Sequence, residues 1–432
     1  MQLFSSRFLA AAVGLTLLGF GIGFGIKALH SSAPPPNNTP GQVSGEAAQP
    51  ILASTNSDDS EPHEVTAAER ANVPQLPAVV RAVSRTPTAP PGNAVETRIE
   101  ASPYTRQLVT GLTNIDFTHG PITEEQANQW KQTLQTLTAQ GAAAVPAIRE
   151  FLQQNQEVNF GAIGSTLGQT SMRAAFINAL GQIGGPEATT ALVQTLQSST
   201  LPSEIAQLAQ VLDQQAPGQY RQQTISAINE VLNMASSGQL PANWDVGTLF
   251  KVLQTYGDSS TAPAIEQLQN SWRYYATMSL AGMQSGQGVP VLVQEVQDPT
   301  AGSKRDFAFQ MLAQVASQYP DAGAALLEKA KADQIPDAAW RKIAMGLAGD
   351  QYVIGEPPGG NGPNSDVLPG LKTYHINGGN QNFYSLPLTP DAQIQERIAM
   401  IDQLLGTTSN PTAISVLQSA RASLTGMAAK SP

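Results

Sequence analysis

The chain has 432 residues, with 23 Lys and Arg against 33 Asp and Glu, a formal net charge of −10 and no cysteine. That length holds two or three domains. The acidic balance excludes the clustered basic surface a nucleic acid needs, and the missing cysteine excludes disulfides, thiolate catalysis and cysteine metal sites.

Phe8 to Ile26 is an uncharged, mostly apolar run between Arg7 and Lys27. At about 1.5 Å per residue it spans roughly 28 Å, close to the hydrocarbon thickness of a bilayer. A cleaved signal peptide would have a shorter apolar run and a small-x-small cleavage site. Ser31-Ser32-Ala33 is a loose match, and Pro34 follows it. Residues 1–30 therefore read as a membrane anchor acting through residues 8–26, with secretion after cleavage as the alternative. Arg7 and the free amine favour a cytoplasmic N-terminus, which puts the rest of the chain on the outer side of a bacterial inner membrane. Gly21 and Gly25 form a G-x-x-x-G that would let two such helices meet as a homodimer.

Residues 31–103 are rich in Pro, Ser, Ala, Thr and Asn. Such a composition buries too little to offset ordering entropy, so the stretch reads as a disordered tether. About 70 flexible residues reach roughly 45 Å. Short apolar exceptions occur at Val65 to Arg70 and Leu76 to Val83.

Helical patterning begins near Tyr104 and is expected to continue to residue 349. Thr123 followed by Glu124, Glu125 and Gln126 reads as a cap and an acidic first turn, and Trp130, Leu134 and Leu137 form the stripe behind it. Val145, Ile148, Phe151 and Leu152 line a second helix, with Pro146 in its first turn. The clearest unit is Met172 to Gln197. Ala175, Phe176, Ala179, Leu180 and Ile183 mark one helix, and Ala188, Ala191, Leu192 and Leu196 the next. Gly184-Gly185-Pro186-Glu187 joins them: glycine supplies the positive φ that ends the first, and Pro186 pre-sets the start of the second. Each helix has one apolar stripe and needs neighbours to bury it.

The same phase returns. Arg273, Leu280, Leu292 and Val296 fall under Arg173, Leu180, Leu192 and Leu196 at an offset of 100 residues. Leu249 to Gln269 fits with a turn at Tyr256-Gly257-Asp258. Arg305, Ala308, Leu312 and Val315 repeat it, and Trp340 to Leu347 opens another unit. Tyr220 to Ala235 reads as the first helix of a unit with a long connection, which leaves an insertion in the early 200s. The helix-start Arg-x-x-Ala, the Leu-Gly-x-Ile-Gly of residues 180–184 and the Ala-x-x-x-Leu of the second helix resemble the HEAT-like repeat family, in the variant also seen in phycobilisome lyases. The likeness covers roughly residues 140–350. It implies an all-α solenoid whose second helices line a concave face; lyase activity is not carried over with it.

Gln194, Gln197, Glu266, Gln267, Gln294 and Glu295 fall on the second helices, and Gln269 and Gln297 are counted with them as solvent-facing. A neutral to mildly acidic face suits a protein or peptide partner. Tyr274 is a further candidate anchor, because binding hot spots favour aromatic residues. From 350 to 390 a Gly/Pro-rich stretch interrupts the helices. The run around Asn377-Gly378-Gly379 reads as a β-hairpin. Tyr374, His375, Phe383 and Tyr384 lie in it, as a contact surface or as a lid on the solenoid end. Residues 391–432 read as two capping helices.

No catalytic signature appears. His30, His63, His119 and His375 have no metal-ligand spacing, and the chain lacks a nucleophile elbow, a zinc helix and a dinucleotide fingerprint. The expectation is a membrane-tethered, non-enzymatic binding scaffold without cofactor or metal. The alternative is an enzyme or accessory factor centred on His375.

Overall fold

A computed structural model of the protein describes residues 79–81, 100–114, 122–241, 244–354, 373–376, 383–384 and 393–429. The candidate anchor 8–26, its Gly21–Gly25 pair and most of the 31–103 stretch lie outside the described residues. Among the described residues no helix is long and apolar enough to cross a membrane. The chain divides into residues 1–71, which lie outside that description, and residues 72–432, which form the body described below.

Helix α1 (Pro103–Thr113) starts at Ser102, whose hydroxyl accepts from Thr105 N at 3.1 Å. Helix α2 (Glu124–Ala139) starts in a full capping box, in which Thr123 and Gln126 satisfy each other's backbone N–H. Helix α3 (Val145–Gln153) follows, with Val145, Ile148, Phe151 and Leu152 all buried. Strand β1 (Val79–Arg81) pairs antiparallel with β2 (Gln156–Val158). Strand β1 falls within Leu76 to Val83, one of the two short exceptions expected in the 31–103 stretch. The β-branched pair Val79 and Val80 suits an extended backbone. A one-turn helix, α4 (Gly164–Leu167), leads to the repeats.

Helices α5 (Met172–Ile183) and α6 (Gly185–Ser198) form the expected hairpin. Ser171 caps α5 by accepting from Ala174 N at 3.1 Å. Gly184 and Gly185 turn the chain with φ of 63° and 78°, values that L side chains rarely adopt. The following helices are α7 (Pro202–Gln215), α8 (Arg221–Ser236), α9 (Gly247–Tyr256), α10 (Ala262–Gly282), α11 (Val289–Gln297), α12 (Ser303–Val315), α13 (Pro320–Lys331) and α14 (Asp337–Ala348). Helix α10 is two repeat helices in one, because Trp272 breaks it with φ −132° and ψ 45°. First helices stack in the order α5, α7, α9, second half of α10, α12, α14; second helices stack as α6, α8, first half of α10, α11, α13. One apolar core runs through both rows, from Ala101 to Leu424.

This order corrects the sequence reading of the 200s. Helix α8 packs on α6 in the second-helix row, and α7, read as an insertion, is the first helix of that unit. Its Ile205, Leu208, Ala209 and Leu212 are buried.

Between α14 and α15 (Ile394–Thr407) the described residues include three strands: β3 (Gln351–Ile354), β4 (Thr373–Ile376) and β5 (Phe383–Tyr384). Their order is β4-β3-β5, with β3 parallel to β4 and antiparallel to β5. The expected hairpin is thus replaced by a sheet in which β3 separates the two strands that flank Asn377-Gly378-Gly379. The strand that claims their hydrogen bonds, β3, lies in the stretch whose glycines and prolines suggest a loop. Phe383 packs on Phe250 of α9 and Tyr275 of α10, at centroid distances of 6.5 and 5.3 Å, and Tyr352 of β3 meets the Phe307 ring of α12. These contacts lie along the starts of successive first helices, so a lid on the end of the array is also corrected. Helix α15 packs on α13 and α14, and α16 (Pro411–Ala428) covers α14 and α15.

Arginine at a helix start serves as a recurring staple between units. Arg173 of α5 donates to Leu152 O at the end of α3, at 2.7 Å. Arg305 of α12 donates to Val296 O at the end of α11, at 3.0 Å. Arg397 of α15 donates to Gly346 O and Leu347 O of α14 and to Gln314 O of α12, at 2.7, 3.2 and 2.8 Å. Helix C-termini leave carbonyls unpaired and carry partial negative charge, so a cation suits them. Arg273 is aligned with Arg173 yet does not repeat the device. The α10 break turns it onto the Tyr274 ring, 5.7 Å from the centroid.

Candidate functional site

A cleft of about 610 Å³ opens between the first half of α10, the end of α11 and the start of α12. Four residues singled out from sequence line it: Glu266, Gln267, Gln294 and Glu295. They meet because α10 and α11 are neighbouring second helices. Leu268 on α10, with Leu292 and Val296 on α11, goes to the core, which turns the intervening residues toward the gap. Gln269, Asn270, Asp298, Thr300 and Lys304 complete most of the wall.

The electrostatics are uneven. Asp298 Oδ1 accepts from Thr300 N and Oγ1 at 2.8 and 2.7 Å, and these bonds hold its carboxyl below the usual range. Lys304 Nζ donates to Asn270 Oδ1 at 2.7 Å. Glu295 differs from both. It is 7 % exposed, and neither carboxylate oxygen has a hydrogen-bond partner. The Gln269 amide favours the charged form of Glu295, while its Nε2 donates to Thr277 Oγ1 at 3.2 Å. Burial pushes the Glu295 carboxyl up to about 7; Glu266 adds to the rise, while Gln269 and Lys304 oppose it.

The surface assignment of Glu295 and Gln269 is therefore corrected. Both are buried, because Glu295 follows Leu292 by three positions and Gln269 follows Ile265 by four, which puts each on an inward face. Gln267 and Gln294 are exposed as expected. Gln194 and Gln197 sit half-buried on α6, in the same row of helices but outside the cleft. Tyr274 is 37 % exposed, with its ring edge-on to Phe307 at 5.0 Å. His375 and Tyr384 flank the same residue of β3, Val353, from β4 and β5, and Tyr374 pairs with Tyr352. The side chains of Tyr374, His375 and Tyr384 lie outside the described residues.

Lys304, Asn270 and Thr300 carry no signal in the sequence that marks them for the cleft. Only the fold brings the α11–α12 connection back onto α10, and no local pattern announces it. Among the described residues no group of three or more His, Asp or Glu could hold a metal ion.

No curated protein and no solved structure matches the chain. Residues 172–198, the α5–α6 pair, match the family model of the PBS lyase HEAT-like repeat.

Proposed function

We propose that the array is a non-catalytic scaffold that binds another polypeptide along its row of second helices. Solenoids of stacked helical pairs offer long binding surfaces of this sort, on a concave side that the second helices would line here. The observation that carries the reading is the convergence of Glu266, Gln267, Gln294 and Glu295 from two second helices on one cleft. Residues 8–26 would tether the scaffold to a bacterial inner membrane, with the array on the extracytoplasmic side, and the Gly21–Gly25 pair would dimerise it. Support for that part comes from the apolar run and its flanking charges alone.

Photo-crosslinking in membranes tests the scaffold. A benzophenone amino acid at 267 or 294 of the full chain should capture a polypeptide that the same group at 131, on α2, does not. Equal yields at all three positions would defeat the reading. For the tether, alkaline extraction should leave the chain in the membrane pellet, and sequencing should find an intact N-terminus. A start near residue 32 would make it a secreted protein instead.

A further inference from the structure

We propose that the α10–α11 cleft is a receptor for one basic side chain of a polypeptide partner, a lysine ammonium or an arginine guanidinium, which pairs with Glu295 inside and with Glu266 nearer the mouth. The inference deepens the scaffold reading and rests on it.

A buried carboxylate is ordinarily matched inside the fold, because an unpaired one is costly to desolvate. Glu295 is nine-tenths buried, both its oxygens lack partners, and it lines an open cleft of about 610 Å³. That volume falls within the about 300–1,000 Å³ common for ligand pockets. The charges lining the cleft are Glu266, Glu295 and Asp298 against Lys304. Lys304 is held to Asn270, and Asp298 to Thr300, so neither completes Glu295. Helix α13, also packed on α11, turns its buried Lys329 to Gln334 Oε1 at 2.9 Å.

The chemistry narrows the guest. An anion would meet a surplus of carboxylates. A bare metal ion would find too few acidic or imidazole ligands gathered together. A cation carrying several N–H donors satisfies Glu295, while the amides of Gln267, Gln294 and Gln269 offer carbonyl acceptors around it. Burial keeps Glu295 largely protonated below neutrality, so pairing with a cation releases a proton and binding should strengthen as pH rises through about 7.

The test uses the full chain in detergent and three probes: the peptide Ac-Gly-Gln-Lys-Gln-Gly-NH2, the same peptide with acetyl-lysine, and free n-butylamine. Binding is followed by chemical-shift changes of the side-chain amides at Gln267, Gln269 and Gln294. The lysine peptide should bind at least tenfold more tightly than the acetylated one, at least tenfold more tightly at pH 8 than at pH 5.5, and more tightly than the amine. Both Glu295→Gln and the mouth variant Glu266→Gln should weaken it, the first more. Equal binding of the lysine and acetyl-lysine peptides, or no binding of either at millimolar concentration, overturns the proposal. Equal binding of butylamine overturns the polypeptide source. If those results coincide with intact crosslinking at 267 and 294, the scaffold survives and only the basic guest is lost. If the crosslinks fail as well, the scaffold reading goes with it.

Discussion

Two glutamates are buried on helices of this array, and their surroundings differ. Glu204 on α7 is 4 % exposed and is gripped by Arg173, whose Nε donates to one oxygen and Nη2 to the other, the latter at 2.8 Å. Arg173 is 1 % exposed. Burial alone would lower the Arg173 pKa, but the bonds and charge of Glu204, with the charge of Glu157, more than offset it and the net direction is upward. Glu295 on α11 is nearly as buried and has no such partner. A charge that closes on itself within the repeat holds units together. At Glu295 the fold supplies no such cation, and in the proposed reading a partner does. The two acids sit in different rows, Glu204 on a first helix and Glu295 on a second, and an arginine lies against only one of them.

The sharpest way to break the comparison is to open the closed site. Arg173→Met strands Glu204 in the core and should cost about 3–5 kcal/mol in denaturant unfolding. Adding Glu204→Leu should recover most of that, because the stranded charge is then gone and an apolar pair can pack. If the single variant is nearly neutral, Glu204 is not buried as described.

The converse experiment works on the open site. An ordinary glutamate in the unfolded chain loses its proton near pH 4.5, whereas Glu295 in the folded chain keeps it to about pH 7. Between those values the folded state holds the extra proton, so stability falls as pH rises and levels off above 7. Glu295→Gln lacks this slope. Relative to wild type it should gain up to about 3 kcal/mol between pH 4 and pH 8, since one unit of pKa shift is about 1.4 kcal/mol. An unchanged pH profile would mean that the carboxylate is solvated. Gain of stability on removing a charged side chain is the usual mark of a residue kept for function.

A third buried charge tests the rule from another side. Arg397 has no carboxylate against it; three helix-end carbonyls hold it, and burial lowers its pKa to about 10. Arg397→Met removes the guanidinium bonds to those carbonyls, of which Gly346 O keeps Gly349 N, but recovers the desolvation of the guanidinium. The net loss should be about 2 kcal/mol, smaller than at Arg173, because no opposite charge is stranded. Glycine guards the same junction: a Cβ on Gly346 would come within 2.7 Å of Gln310 O and 2.9 Å of Ala313 Cβ.

The sequence revealed these regions unequally. The α5–α6 hairpin was readable because its signals are local: apolar spacing, two glycines and Pro186 lie within one unit. Helix α7 was missed because α6 ends without glycine. Ser199 leaves the helix in an extended conformation instead, with ψ 140°. Pro202 and the Ile205–Leu208–Leu212 spacing were the available clues. The sheet was misread because Asn377-Gly378-Gly379 points to local pairing, whereas β3 pairs with β4 across residues 355–372. For the cleft, the residue types were readable but their depth was not. Glutamine looked like surface throughout, yet Gln254 donates to Met278 O between first helices at 3.1 Å, and Gln314 to Asp350 O at 2.7 Å. In a chain this rich in amides, helical phase is a better guide to burial than polarity.

The smallest effect belongs to ion pairs with no burial at all. Arg106 forks onto Glu150 from α1 to α3, with bonds of 3.0 and 2.9 Å, and both side chains are exposed. Arg173 on Glu204 uses the same two donors, Nε and Nη2, so the bidentate form is shared while solvation changes. Water screens the exposed pair and hydrates either partner when the other is removed. Arg106→Gln should therefore leave the thermal midpoint within error of wild type at moderate salt, where Arg173→Met lowers it by several degrees. A comparable drop for both variants would show that the two forks stabilise equally, and burial would no longer explain why an unpaired Glu295 is unusual.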